Sequence, residues 1–197
     1  MEPYEIVGQP LSLWLAPVGE AFPAIDAEPA GNWVLVGTSG DESQNEEGVT
    51  ATHSQTFNKV RPGGTTGPVK AFRDTEELMI KVTLWDVSLE AYLLALNSNT
   101  LSTTAAGTAG FKKVGLSRGK AVTEYALIAR GVSPYGDGMN MQYQVPRCYQ
   151  SASPALAYRR ATPAGIELEF TALEDQSAAS DDVRFGSIVA QHQAPLA

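Results

Sequence analysis

Only one stretch of this chain, residues 86–97, sustains a helical period. Elsewhere apolar and polar residues alternate in short runs, and 18 glycines and 12 prolines cut between them. A backbone punctuated so often must satisfy its N–H and C=O groups by pairing strands, so the pattern predicts a mainly β fold.

Leu11, Leu13 and Leu15 alternate with Ser12, Trp14 and Ala16, the period of a half-buried strand ending near Pro17. Residues 20–31 carry Pro23 and Pro29 and form a loop, and residues 33–37 (Trp-Val-Leu-Val-Gly) form a short buried strand. Residues 38–48 hold Asp41, Glu42, Glu46 and Glu47 and are too polar to bury. Residues 49–60 suit a strand but have a poor apolar face, and Arg61-Pro62-Gly63-Gly64-Thr65-Thr66-Gly67-Pro68 is the strongest turn signal. Residues 49–73 therefore form a long β-hairpin arm that leans on a partner. Leu78, Ile80, Val82 and Leu84 mark the clearest core strand. Asp86 or Ser88 caps the helix that follows, whose Leu89, Tyr92, Leu93 and Leu96 make one apolar stripe ending near Asn97.

Residues 98–110, small and polar, make a flexible loop. Further strands fall at 111–116, 120–129, 141–149, 165–173 and 183–190. Strands of this number and spacing, with one helix, predict an antiparallel sandwich or barrel. No internal repeat is present, and 197 residues fit one domain.

Charge narrows the functional classes. The net charge is −8, and its distribution is uneven: nine acids and no Lys or Arg precede Lys59, while residues 59–197 carry 13 acids and 14 bases. Such a chain does not grip nucleic acid, since affinity for phosphates comes from Lys and Arg displacing counterions. Cys148 is alone, so no intrachain disulfide forms, and it reads as a small buried residue of a strand. No basic leader precedes Glu2 and Glu5, and no apolar run reaches membrane-span length, which predicts a soluble protein made in the cytoplasm, with no membrane partner.

Chemistry is scarce. His53, His192 and one Cys offer no zinc spacing, and neither His accompanies a nucleophile elbow. The Gly-rich segments lack the Lys-Ser/Thr sequel of a phosphate loop. Glu167 and Glu169 alternate with Ile166, Leu168 and Phe170, so both acids share one solvated strand face. The acids of residues 41–47 lack the order of a calcium loop. Lys112, Lys113, Arg118 and Lys120 form the one basic cluster, which without interleaved aromatics suits a pairing surface. The expectation is no catalytic residue, no cofactor and no metal, in a subunit completed by its neighbours.

The order of elements resembles the phage tail tube proteins, the major tail proteins of long-tailed, siphovirus-like phages. The resemblance rests on residues 33–37 followed by a long hairpin arm, then Gly67-Pro68-Val69-Lys70. It continues through residues 84–97 (Leu-Trp-Asp-Val-Ser-Leu-Glu-Ala-Tyr-Leu-Leu-Ala-Leu-Asn), Val145-Pro146-Arg147, Glu169-Phe170-Thr171-Ala172-Leu173-Glu174-Asp175 and Phe185-Gly186. It covers residues 11–190, and the order of the motifs carries it more than any one of them.

That resemblance implies a structural virion protein with an orthogonally packed antiparallel β-sandwich, one flanking α-helix and a β-hairpin arm. Such subunits form hexameric rings that stack head-to-tail into a hollow tube, with tape measure, tail terminator and distal tail proteins as further partners. DNA passes through transiently during ejection, and assembly takes place in the host bacterial cytoplasm. Residues 1–10 and the arm at 49–73 become assembly extensions of a single domain, 1–197. Glu167, Glu169 and Thr171 become lumen candidates, because an acidic lumen repels phosphate. Asp41, Glu42, Glu46, Glu47, Phe57, Arg61, Lys112 and Lys113 become assembly-interface candidates, with the early acids meeting Lys112 and Lys113 of a neighbour. A tail terminator or a type VI secretion-like inner tube shares this fold. A carbohydrate-binding sandwich using Trp14 or Trp85 is the reading from another class.

Overall fold

The computed structural model describes residues 3–97, 99–105, 107 and 109–194. Residues 1 and 2 of the expected N-terminal extension, and 98, 106 and 108 of the expected loop, lie outside the described residues. The chain is an antiparallel β-sandwich with one flanking helix, 43% strand and 9% helix. Its elements are β1 (Ser12–Pro17), β2 (Val34–Leu35), β3 (Gln44–Val60), β4 (Lys70–Leu84), α1 (Leu89–Ala95), β5 (Leu101–Thr104), β6 (Phe111–Val114), β7 (Glu124–Val132), β8 (Asn140–Gln150), β9 (Ile166–Ala172) and β10 (Ser187–Ala190).

The main sheet runs β2-β1-β7-β8-β9-β4-β3, with β10 attached to β8, and it does not close, so the alternatives resolve to a sandwich. β8 pairs with β7 along one side. Its other side is divided, with β10 on Met141–Gln144 and β9 on Cys148–Gln150. This fork lets the sheet turn back over one core, where Leu13, Leu15, Leu127 and Val145 meet Ile80, Val82, Leu84, Leu168 and Phe170.

The second face of β1 and β7 is also covered. Ala16, Ala126 and Ile128 lie under Trp33, Trp14 and Phe22, with the rings of Phe22 and Trp33 5.6 Å apart. The polypeptide at 20–31 is held there by side chains of β7 and β8. Arg130 is buried and donates to Ala27 O at 2.6 Å and Ala24 O at 3.2 Å. Its cross-strand partner Gln142 accepts Nε at 3.0 Å and Nη2 at 2.7 Å and donates to Pro23 O at 3.2 Å. Asn140 Nδ2 donates to Ile25 O at 3.0 Å. Burial lowers the Arg130 pKa, opposed by Glu28 and Asp26. A guanidinium nonetheless stays charged, and five donors let it satisfy several carbonyls at once.

Several expectations need correction. Residues 33–37 contribute only the two-residue edge strand β2, whose Val34 and Leu35 are exposed; Trp33 and Val36 on either side are the buried ones. The acidic segment 38–48 is not wholly exposed. Gly40–Ser43 is a 3-10 turn, and Ser43 and Gln44 are buried because Gln44 Nε2 donates to Leu11 O at 2.7 Å. Ser88 does cap α1, accepting from Ala91 N–H at 3.1 Å. The fully buried residues at α1 are Ala91, Ala95 and Leu96. Of the expected stripe Leu96 is buried and Tyr92 packs against the core, while Leu89 and Leu93 are only half-buried, since the small Ala91 and Ala95 let the helix approach β9 closely. Asn97 follows at φ 61 and ties the helix end to 118–123, accepting from Thr123 N–H at 2.6 Å and donating to Ala121 O at 2.7 Å. Part of the expected loop at 98–110 is strand: β5 pairs with β6 as a small exposed hairpin. The strand expected at 120–129 runs instead at 124–132, which adds Arg130, and the strand expected at 183–190 begins only at Ser187, after a 3-10 turn at Asp181–Val183.

Replacing Arg130 with Met keeps the aliphatic volume but strands two backbone carbonyls and Gln142 Oε1. We expect a loss of ~2–4 kcal/mol, seen as a lower urea midpoint, together with proteolytic cleavage within 20–31. An unchanged midpoint and an uncut loop would show that the clamp is idle.

Candidate assembly surface

β3 and β4 outrun the rest of the sheet. β9 pairs with β4 only from Met79 to Leu84, whereas β3 and β4 stay paired out to Val60 and Lys70. From Thr52 to Glu77 every residue is exposed, so the hairpin has neither face covered. About seven residues beyond His53 at ~3.3 Å each carry the arm roughly 25 Å from the body.

The arm also changes facing along its length. Thr56 pairs with Thr75, their hydroxyl oxygens 2.6 Å apart, but Phe57 pairs with Arg73, leaving Asp74 as a one-residue bulge. Partners across an antiparallel ladder share a face. Phe57, Lys59 and Arg73 thus stand on one face, and Val60, Lys70 and Phe72 on the other. Without the bulge both phenylalanines would fall on the same side. Phe57 is 47% exposed, Phe72 51%, Val60 45% and Val69 67%. Lys70 Nζ lies 4.8 Å from the centre of the Phe72 ring.

The arm therefore has apolar residues on both faces and basic residues beside them. Arg61 stands at its exposed turn. Of the interface candidates, Phe57 and Arg61 belong to this arm. Asp41 and Glu42 lie in the 3-10 turn, and Glu46 and Glu47 in the irregular start of β3. Asp41, Glu46 and Glu47 line a recess beside residues 8–11. The structure does not leave both basic candidates free. Lys112 pairs with Glu90 of α1 in the same chain, an ion pair that lowers the Glu90 pKa, while Lys113 is exposed on β6.

The three lumen candidates share the face of β9 that points away from the core, as alternation requires. Thr83, Lys81 and Met79 of β4 and Thr50 and Thr52 of β3 extend that face. Lys81 Nζ sits 3.1 Å from Glu167, so one of the acids is partly neutralised. Glu169 accepts from Ser151 Oγ at 2.8 Å. Glu167 and Glu169 are half-buried, but Thr171 is covered, at 5% exposure, with its hydroxyl donating to Ser151 Oγ at 2.8 Å. On this chain Thr171 thus serves packing, and the polar surface is carried by the two glutamates and the threonines of β3.

Sequence reasoning missed the groove at the base of the arm. It lies between Leu78 and the 76–77 segment of β4, the Tyr143–Val145 part of β8, and residues 181–188, with a volume of about 780 Å³. Its acids are separated by a hundred residues in sequence, so only the fold assembles them. Among the described residues no group of three His, Cys, Asp or Glu is placed to hold a metal ion. Cys148 is buried among apolar side chains, and burial pushes its pKa up to about 12. The thiol is therefore protonated at neutral pH, and no nucleophile results. Neither a family model nor a curated protein sequence matches this chain.

Two outcomes are expected from these surfaces. In the monomer, amides of residues 54–73 exchange with solvent far faster than those of β7 and β8, because the arm pairs only with itself. Hydrogen exchange that found the arm as protected as β8 would contradict this. Cys148 resists alkylation at pH 8 until denaturant is added, because the native thiol ionises only near pH 12; rapid modification of the folded chain would refute its burial.

Proposed function

We propose that this chain is a structural subunit of a phage tail tube. Copies join into hexameric rings, the rings stack head-to-tail, and the hollow centre conducts DNA during ejection. The protein then resides in the virion after assembly in the host cytoplasm, and tape measure and terminator proteins are its natural neighbours. The observation that carries this reading is the arm. A hairpin with apolar side chains on both faces, extended about 25 Å beyond its fold, has no reason to exist in a monomer.

Each half-exposed phenylalanine withholds roughly 100 Å² from burial, worth ~2–3 kcal/mol when covered. That gain is recovered only when another molecule covers the arm. The polar face of β3, β4 and β9 suits a passage wall. Its hydroxyls and carboxylates leave no row of cations to hold a phosphate backbone, and Lys81 is occupied by Glu167. Open edges support assembly too, since β2 and β3 end the sheet with one paired side each.

Negative-stain electron microscopy of purified protein tests the proposal directly: hollow tubes or sixfold rings are expected. Phe57→Asp combined with Phe72→Asp is expected to abolish them while shifting monomer stability by no more than ~0.5 kcal/mol, because both side chains are exposed. A wild-type protein that stays monomeric at high concentration would reject the tube.

A further inference from the structure

The arm and the groove at its base carry opposite charge. Between Ser54 and Phe72 there is no Asp or Glu, but there are Lys59, Arg61 and Lys70. The groove holds five carboxylates, Glu76, Glu77, Glu174, Asp181 and Asp182, against two guanidinium groups. Those two are already engaged within the chain. Arg73 lies 2.8 Å from Glu76, and Arg184 is shared between Glu174 and Asp181, the latter at 2.7 Å. The pairing raises the Arg184 pKa, so its charge is fixed. Glu77 and Asp182 take no part in these ion pairs, and the groove keeps a surplus of three negative charges.

Shape matches charge. The floor is apolar, with Leu78, Val145, Phe185 and the 54% exposed Ile188. Above Met79 the β9 side of β4 is vacated, and β10 pairs with β8 alone. A slot between two strands covers both faces of an inserted hairpin, which a flat patch does not, and the arm has apolar residues on both faces.

A chain cannot fill its own groove. The ladder from His53–Leu78 out to Val60–Lys70 holds the tip roughly 25 Å from the arm's base. We infer that the acidic groove is the receptor for the basic arm tip of a second copy of this chain. This rests on the tube reading and names the contact that would propagate it. Tip and groove are different surfaces, so the contact is heterologous, and each copy offers one donor and one receptor.

Two double variants test the inference, one reversing the tip (Lys59→Glu with Arg61→Glu) and one reversing the groove (Glu77→Lys with Asp182→Lys). All four positions are exposed and outside the intrachain ion pairs, and thermal unfolding of each variant, read beside wild type, verifies that the fold is kept. Each variant alone is expected to assemble at least about tenfold less than wild type by sedimentation, because like charges meet. An equimolar mixture is expected to assemble again, since an acidic tip then finds a basic groove and a basic tip an acidic one. Either variant assembling as well as wild type, or a mixture that stays monomeric, overturns the groove while leaving the tube standing. A wild-type chain that never assembles removes the tube and the groove together.

Discussion

The fork in β8 is the constraint on which the rest of the molecule depends. One side of this strand serves two partners, β10 on its first half and β9 on its second, and neither can extend into the other's place. β10 enters the fork through Gly186, at φ 114. A Cβ there would lie 2.0 Å from Gln144 O, so no other residue fits without moving the strand. Because β9 leaves β8 at this point, it draws β4 and β3 into the second layer and closes the core over Leu168 and Phe170. The same divergence opens the groove below the arm. Sandwich, arm direction and groove are thus one consequence of a strand with a divided edge.

Arg130 secures the other side. Central strands buried on both faces usually read as continuous apolar runs, and β7 does so as far as Ala129. The covering segment at 20–31 has two prolines, Pro23 and Pro29, and no strand pairing, so its carbonyls need donors from elsewhere. Arg130, Gln142 and Asn140 supply them. A charged residue in the last turn of an apolar run gives no sign in sequence that it faces inward, because the carbonyls it meets are a hundred residues away.

Where alternation decides the structure, the sequence was legible: Leu78 to Leu84 and Ile166 to Phe170 lie as their period requires, Leu13 and Leu15 face the main core as expected, and Ser88 caps the helix. The strand expected to be half-buried, however, has its other face covered too, with Ala16 buried and Trp14 packed in the second cluster. The failures have local physical causes. β5 is rich in Ser and Thr, and its pairing with β6 rather than an apolar face makes it a strand. The helix turns Ala91 and Ala95 inward beside Leu96 because close approach to β9 favours small residues over Leu89 and Leu93. Thr171 has the alternation of a surface residue, yet Ser151 and its neighbours cover it. The arm was legible as a hairpin from its turn and poor apolar face. Its two-faced character was not, since the bulge at Asp74 is set by register and leaves no mark in composition.

The uneven charge of the chain acquires a finer grain from the structure. All nine acids before Lys59 were a candidate partner for Lys112 and Lys113, but Lys112 is occupied by Glu90. A second set of opposing charges lies at the two ends of one hairpin, cations at the tip and carboxylates around the base. Separation along a paired ladder matters physically, because it keeps the tip cations from reaching the carboxylates at the base of the same chain. In the proposed contact the tip cations and the unpaired Glu77 and Asp182 would meet only between chains, and always in the same direction. In that proposed contact the apolar side chains on both faces of the arm would supply affinity and the charge polarity, since tip against tip or groove against groove brings like charges together. A subunit built this way can add copies head-to-tail without a self-complementary contact that would stop at a dimer.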